Sequence, residues 1–439
     1  MKTFIKGDKK LLNAWAFYDW ANSVYALVIS SSIFPLYYGV LFRELKIDSF
    51  ELFGTMIKSE SIISYVTALG FLIVAVISPF LSGIADYLGT KKFFLKLFCF
   101  IGAISCMLLY FFSLEYMYLS LLIYMFGLIG FWGSLVFYNS YLPDIAFEDQ
   151  QDKISAKGYG LGYIGSVILL LINLAMIMNA EALGFENEMS AMRFSFILVG
   201  LWWIGFGIRA FRRLPDLKNE KKLTSSVFFK GFRELKKVNE QLKNYVPLKR
   251  YLVAFFVYSM AVQTVMIIAA YFGEKEIQWA SDSERSSGLI ISILLIQLVA
   301  VLGAYLTAQL SNKIGNIYAL CVLNAIWVCI CIYAYTISSP KEFYIAAAFV
   351  GLVMGGIQSL SRSTYSKMLP VTTDTTSFFS FYDVTEKIGI VFGMLIYGLV
   401  SDLTGKMQNA ILFLVVFFVV GFILLLRVPQ QKKTKAVSE

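Results

Sequence analysis

Runs of about twenty apolar residues recur along the whole chain, and each is long enough as a helix to cross the roughly 30 Å of hydrocarbon in a bilayer. Twelve can be placed, at 12–41, 61–84, 93–113, 118–139, 158–179, 193–211, 250–272, 286–310, 317–337, 343–361, 378–400 and 409–427. In hydrocarbon every backbone N–H and C=O must be satisfied by the protein itself, which leaves helices or a closed barrel. A barrel would show short alternating strands, and these runs do not alternate. The predicted class is an all-α integral membrane protein with twelve transmembrane helices. Composition agrees: 58% of the 439 residues are hydrophobic and only 15% charged, which a soluble fold of this length does not need. Lys2, Lys6, Lys9 and Lys10 precede the first run, but that run is too long for a signal core and lacks a small-residue cleavage site. It is expected to stay in the protein.

The net charge of +9 is explained by topology rather than by nucleic acid. Threading the twelve spans in order puts 29 Lys and Arg on the side of the termini and 8 on the other, with Lys387 inside a span. By the positive-inside rule both termini are expected in the cytoplasm, for a bacterial protein at the inner membrane. The long basic stretch between the sixth and seventh spans then divides the chain into a six-helix bundle at 1–211, a cytoplasmic linker at 212–249, a second bundle at 250–427 and a tail at 428–439. The linker is read as a solvated segment touching anionic lipid heads, with a short surface helix from Phe228 to Leu242. Cys99, Cys106, Cys321, Cys329 and Cys331 all fall within spans and the chain has no histidine, so neither disulfides, metal nor a cofactor is expected.

An internal repeat supports the six-and-six division. Asp86-Tyr87-Leu88-Gly89 closes the second span and Asn312-Lys313-Ile314-Gly315 closes the eighth, 226 residues later. Leu142-Pro143 and Leu369-Pro370 close the fourth and tenth, 227 apart. Duplicated halves predict two pseudo-symmetric six-helix bundles.

Within this apolar frame a few polar residues need reasons. An Asp at mid-helix costs about 2.5–3.5 kcal/mol on insertion scales, so Asp19 in the first span is a functional candidate. Helical spacing puts Trp15, Asp19, Asn22, Ala26 and Ser30 on one face, predicted to meet protein or water, with Leu27, Val28, Ile33 and Phe34 on others. Ser23, then Ser134 and Tyr138 on the fourth span, Tyr258 and Gln263 on the seventh, and Gln358 on the tenth complete the candidate pathway. Asn173, Gln297 and Asn324 read as interhelical hydrogen bonds. Gly351, Gly355 and Gly356 read as helix packing. Arg362 would either hold a carboxylate substrate or anchor at lipid heads. On the eleventh span Asp383 and Lys387 are i,i+4 neighbours, expected to pair and either to stabilise the helix or to act as a gate, with Glu386 left as the unpaired acid.

The stretch Ser82-Gly83-Ile84-Ala85-Asp86-Tyr87-Leu88-Gly89-Thr90-Lys91-Lys92 resembles the signature loop of the major facilitator superfamily, a small residue followed four later by Asp, then Gly and basic residues. Tyr87 and Thr90 stand where that family usually has arginines. Ala16 to Ser23, Tyr138 to Ile145, Gly355 to Ser363 and Phe378 to Lys387 narrow the resemblance to the branch of the fungal vacuolar amino-acid effluxers of autophagy and their bacterial relatives. The resemblance implies a major facilitator fold, a secondary transporter working by alternating access, and gating roles for Asp86, Gly89 and Lys91, the alternative being a capped turn with no gating role. It also places the span of Asp19 among those lining the cavity. The expected function is therefore transport of a small polar solute such as an amino acid, coupled to protons through Asp19, by a monomer in contact with membrane lipid.

No phosphate-cradling Gly-rich loop followed by Lys and Ser or Thr occurs, so direct use of ATP is not expected. Three other readings stay open at this stage: transport of sugars or peptidoglycan fragments, a sensor that binds without flux, and a membrane enzyme using Asp144, Glu148, Asp149 and Asp152 to hold a metal. For that acidic group a solvated turn is the preferred reading.

Overall fold

A computed structural model describes residues 4–44, 46–216 and 227–429. In chain order it contains α1 (Lys9–Val24), α2 (Ile33–Glu44), a hairpin of β1 (Ser49–Leu52) and β2 (Thr55–Lys58), α3 (Ser59–Leu88), α4 (Lys91–Leu108), α5 (Met117–Asn139), α6 (Leu142–Ile145), α7 (Glu148–Met178) and α8 (Glu188–Arg213). Then follow α9 (Val227–Asn244), α10 (Val246–Lys275), α11 (Asp282–Ile314), α12 (Asn316–Thr336), α13 (Pro340–Lys367), α14 (Thr375–Thr404) and α15 (Met407–Leu426). Among the described residues twelve helical stretches are long and apolar enough to cross a membrane, the first of them running from Lys9 through Arg43. The surface helix expected between the sixth and seventh spans is present as α9. Lys218, Lys221 and Lys222 of the linker, and Lys432, Lys433 and Lys435 of the tail, lie outside the described residues.

The ends of these helices are written locally. Asn187 and Ser190 form a reciprocal capping box at the start of α8, and Ser339 and Glu342 form another at α13, where Pro340 occupies the first turn. Gly89 stops α3 in the left-handed region (φ 67°, ψ 34°), with its N–H on the Ala85 carbonyl. A side chain there would be strained, which is why the signature loop needs glycine at this point.

Two spans differ from expectation in an instructive way. The first is broken: after Val24 the chain widens into a π turn over Tyr25–Ser30 before α2 begins. The freed carbonyls of Ala26 and Leu27 accept hydrogen bonds from the hydroxyls of Ser31 (2.9 Å) and Ser32 (2.6 Å). A π turn rotates everything after it relative to a regular helix, so a face projected at 3.6 residues per turn is lost beyond Tyr25. Ser30 is therefore exposed, while Leu27, Val28, Ile33 and Phe34 are all buried in protein rather than facing lipid. The fifth span is the other case: α7 starts at Glu148, ten residues before the predicted boundary, its opening turns held by Asp152 and Ser155, which are buried and bonded, while Glu148, Asp149 and Lys153 are exposed.

Two compact units emerge. One comprises Met1–Phe147, Lys157–Lys236 and Thr373–Lys387; the other comprises Glu148–Ala156, Lys237–Thr372 and Ile388–Glu439. The first unit packs α4 against α5, and α8 against α1 and α4, around the buried rings of Trp15, Tyr18, Tyr25, Tyr138 and Trp203. In the second, α11 and α13 lie closest. A methyl group on Gly303 would overlap the carbonyl of Leu352, and methyls on Gly351 and Gly355 would crowd the carbonyls of Ile296 and Ala300. The packing role read for these glycines is what lets two backbones touch where lipid offers no hydrophobic drive for helix association.

Leucine at Gly303 or Gly355 is expected to destabilise the folded protein by roughly 1–3 kcal/mol or more, the usual range for overpacking. Gly398→Ala, at a site where the added methyl meets nothing within 4 Å, should leave thermal stability in detergent within error. Equal melting of the Gly303→Leu and Gly398→Ala proteins would refute this account of the α11–α13 contact.

Candidate functional site

The polar residues of α1 gather around one carboxylate. The Tyr138 hydroxyl donates to Asp19 Oδ2 at 2.8 Å, its ring stacks on Trp15 with centroids 4.6 Å apart, and Trp15 Nε1 donates to the Tyr138 carbonyl at 2.9 Å. Asp19 is 4% exposed. One turn on, the Ser23 hydroxyl donates to Asn22 Oδ1 at 3.4 Å, and Asn22 Nδ2 is buried without a hydrogen-bond partner among the described residues. Gly162 of α7 sits so close that a methyl there would overlap the Ser23 hydroxyl. Asp19 and Tyr138 thus form one bonded pair and Asn22 and Ser23 another on the next turn of α1, with Ser23 half-buried. Ser134, one turn before Tyr138, donates instead to the Phe131 carbonyl of its own helix at 2.8 Å.

A second group joins helix ends of the first unit. Asp86, near the end of α3, accepts the main-chain N–H groups of Thr376 (3.1 Å, to Oδ1) and Ser377 (2.7 Å, to Oδ2), the open first turn of α14. A carboxylate there satisfies otherwise orphaned donors and meets the positive end of the helix dipole. Just past Gly89, Lys91 pairs with Asp144, donates to Thr375 Oγ1 at 3.0 Å and to the Ser140 carbonyl at 3.3 Å, and lies over the Tyr141 ring. The N-terminal arm docks at the same place: Gly7 N–H donates to the Ile145 carbonyl and Lys6 Nζ to the Pro143 carbonyl, each at 2.7 Å.

Further along α14, Lys387 is 1% exposed and donates to Asp383 Oδ1 at 2.7 Å and Glu386 Oε2 at 3.2 Å, with its ammonium 3.7 Å from the centre of the Trp132 ring. The expected Asp383–Lys387 pair is present. Glu386 is not the unpaired acid of the sequence reading; the adjacent side chains converge on one ammonium because a lysine stem is long enough to curl between them. Two carboxylates share one cation, and Asp383 Oδ2 is buried with no hydrogen-bond partner among the described residues.

In the second unit a matching group forms around Asp152 of α7. It accepts from Lys367 Nζ (2.6 Å), Ser311 Oγ (2.9 Å) and Asn316 Nδ2 (2.9 Å), so α7 is tied to the end of α11, the start of α12 and the end of α13. One turn later Ser155 receives both Nε and Nη2 of Arg362, at 3.0 Å each, on its hydroxyl and carbonyl, while its hydroxyl donates to the Ser359 carbonyl. Arg362 is 2% exposed, which overturns the reading of it as an anchor at lipid heads. Within the acidic stretch Asp144 and Asp152 are ion-paired rather than solvated, while Glu148 and Asp149 are exposed, and no set of three or more His, Cys, Asp or Glu among the described residues is placed to hold a metal. Tyr258 lies 2.7 Å from Ser361 Oγ and 3.2 Å from the Tyr251 hydroxyl. Gln358 Nε2 approaches Met266 Sδ at 3.6 Å, and Gln263 is half-buried on α10.

The two groups are related by the 226-residue repeat with the polarity reversed. In the first unit the acid closes α3 and the donors open α14; in the second the donor Ser311 closes α11 and the acid sits near the opening of α7. The sequence reading names Asp152 only as a candidate metal ligand and does not single out Ser155, Asn316 or Lys367. The repeat matches the helix ends but not the residues: 226 positions from Asp86 stands Asn312, and from Thr376 stands Gln150. Nor did the interhelical reading of Asn324 hold, since its Nδ2 bonds the Leu320 carbonyl of its own helix.

Residues 7–438 match the family of vacuole effluxers resembling Atg22. The chain belongs to that family. It is 33% identical over 436 residues to the MFS-type transporter YxiO of Bacillus subtilis, covering 99% of this chain and 97% of that one. It is 27% identical to autophagy-related protein 22 of Eremothecium gossypii, covering 84% of this chain and 78% of that one. Among solved structures, the fucose:proton symporter FucP of E. coli aligns with TM-score 0.66 at 16% identity (96% of this chain, 98% of that one). The proton:xylose symporter XylE aligns with TM-score 0.68 at 12% identity (96% of each chain). At such identities these two show the fold, that of the major facilitator superfamily. The Atg22-like chain is thus a multi-pass membrane transporter rather than an enzyme, as expected from its signature loop.

Removing one partner of a buried pair leaves an uncompensated charge, at a cost of about 3–5 kcal/mol, whereas removing both is far milder. In this Atg22-like protein Lys387→Met, which strands two carboxylates, should lower thermal stability in detergent more than Asp383→Asn, which leaves Lys387 paired with Glu386, and adding Asp383→Asn to Lys387→Met should recover part of the loss. Strictly additive losses would show that the two side chains do not act as a pair.

Proposed function

We propose that the protein is a secondary transporter that moves a small polar solute by alternating access and couples movement to protons through Asp19, with both termini in the cytoplasm of a bacterial inner membrane. Amino acids are the first substrate class to test. The observation that carries the reading is the buried pair of Asp19 and Tyr138, with Asn22 and Ser23 on the next turn: an ionisable acid, a hydroxyl that donates to it and an amide with a spare donor, inside a transporter's first span. A buried carboxylate that accepts from a tyrosine hydroxyl can take up a proton when that contact is exchanged for substrate. Membership of a family described as vacuole effluxers supports a solute as cargo. The proton-driven sugar symporters among its fold neighbours support only the architecture, so sugars and peptidoglycan fragments remain the alternative cargo.

The helix-end groups serve as gates in this reading. Asp86, Gly89 and Lys91 hold the first turn of α14, and Asp152 with Lys367 and Arg362 holds the first turns of α7. Helices whose starts are fixed by hydrogen bonds and ion pairs, rather than by interlocked apolar side chains, can leave and return without unfolding. Asp383, Glu386 and Lys387 form a further gate, in which a proton on either acid would leave Lys387 with one ionised partner. No transport energy comes from ATP.

Counterflow in proteoliposomes tests the cargo. Vesicles preloaded with unlabelled leucine, isoleucine or tyrosine should take up the labelled form, and empty vesicles should not. Silence with amino acids, in vesicles holding folded protein, would move the assignment to sugars or peptides, and binding without flux would make the protein a sensor. Asp19→Asn should abolish accumulation driven by a proton gradient while sparing counterflow. Accumulation that survives in the folded variant would end the proposal for Asp19. Cysteines placed at Lys6 and at position 429 should react in inverted membrane vesicles and not in intact cells; labelling from outside the cell would reverse the topology.

A further inference from the structure

Between the start of α1 and the end of α8 lies an open basin of about 580 Å³, lined by Lys10, Asn13, Ala14, Gly205, Ile208, Arg209, Arg212 and Arg213. Four of these side chains are cationic and none is acidic. None of the four cations has a carboxylate partner among the described residues. The acids nearest in sequence are engaged: Asp8 accepts the Leu11 N–H at the start of α1, and Asp216 pairs with Lys92 at 3.4 Å. At the rim Lys157 donates to Asn13 Oδ1 at 2.6 Å, bringing a fifth positive charge near, and the Arg209 guanidinium lies 4.7 Å from the centre of the Phe17 ring.

The basin is not uniformly polar. Leu201, Gly205, Ile208 and Arg212 share one face of α8, so a line drawn along the helix passes from apolar to cationic. Leu201 and Ile208 are exposed. Gly205 differs from the glycines that let helices touch: a methyl added to it meets nothing within 4 Å. It leaves an open notch one turn before Arg209 and two before Arg212. A free anion would use the cations and have no use for the notch. An amphiphile would use both.

We propose that this basin binds one anionic glycerophospholipid, with its phosphate among Arg209, Arg212, Arg213 and Lys10 and an acyl chain along Leu201, Gly205 and Ile208. Arginine is suited to this, because its planar fork donates two parallel hydrogen bonds to a phosphate and its stem packs against apolar surface. The site is separate from the polar group around Asp19 and does not depend on the transport reading above.

The test is native mass spectrometry of the full-length protein in detergent, with added phosphatidylglycerol or phosphatidylcholine of the same acyl chains. Phosphatidylglycerol should be retained preferentially. Arg209→Gln and Arg212→Gln should each weaken it by about fivefold, the size expected for one basic residue at an anionic lipid surface. Gly205→Leu fills the notch without changing charge or disturbing a packed contact, and should weaken both lipids. Equal retention of the two lipids, or phosphatidylglycerol occupancy unchanged in all three variants, would overturn the proposal. Displacement of phosphatidylglycerol by millimolar inorganic phosphate would overturn it in favour of a soluble-anion site.

Discussion

A charge held away from water must be matched where it sits, and this requirement organises the polar chemistry of the protein. Lys387 is matched by two carboxylates and the face of Trp132. Lys91 is matched by Asp144, Asp152 by Lys367, and Asp86 by the open first turn of a helix. These solutions stand at helix ends or one to three turns inside them, where backbone groups are unpaired and side chains from several helices converge. The apolar spans can then be nearly featureless, because specificity of assembly is concentrated in a few polar knots and in the glycine seam between α11 and α13.

Those knots also explain why α7 and α14 are unusual. Each begins in one compact unit and continues in the other, α7 changing at Lys157 and α14 at Ile388. Their opening turns carry the ion pairs and capping contacts, and their remainders pack as ordinary apolar helices. A helix built this way has a polar grip at one end and a lipid-compatible body at the other. Interactions of this kind are individually exchangeable with water, unlike a packed core, which suits a protein whose family transports solutes.

Much of this was legible in the amino acids, and the misses have physical causes. Spans follow from hydropathy because a bilayer imposes length on every crossing segment, and the Asp383–Lys387 pair follows from helical spacing alone. The face of the first span did not, since three serines in a row at Ser30, Ser31 and Ser32 support a π turn that periodicity cannot register. Arg362 was misjudged because a long basic side chain near a predicted helix end is compatible with either water or a partner, and only the burial of Ser155 against it decides. The charged run Glu148–Lys157 looked like a loop because its compensating groups, Ser311, Asn316 and Lys367, lie more than 150 residues away in sequence. The Asp19–Tyr138 contact was within reach as a pair of candidates, but its geometry was not.

The cap on α14 has one more implication. Asp86 accepts the main-chain N–H groups of Thr376 and Ser377, donors that nearly any amino acid at those two positions would also supply. Selection on the main-chain part of this contact bears on the acid, and leaves its partners free to vary so long as neither becomes proline. A contact of this kind leaves no covarying pair of positions behind it.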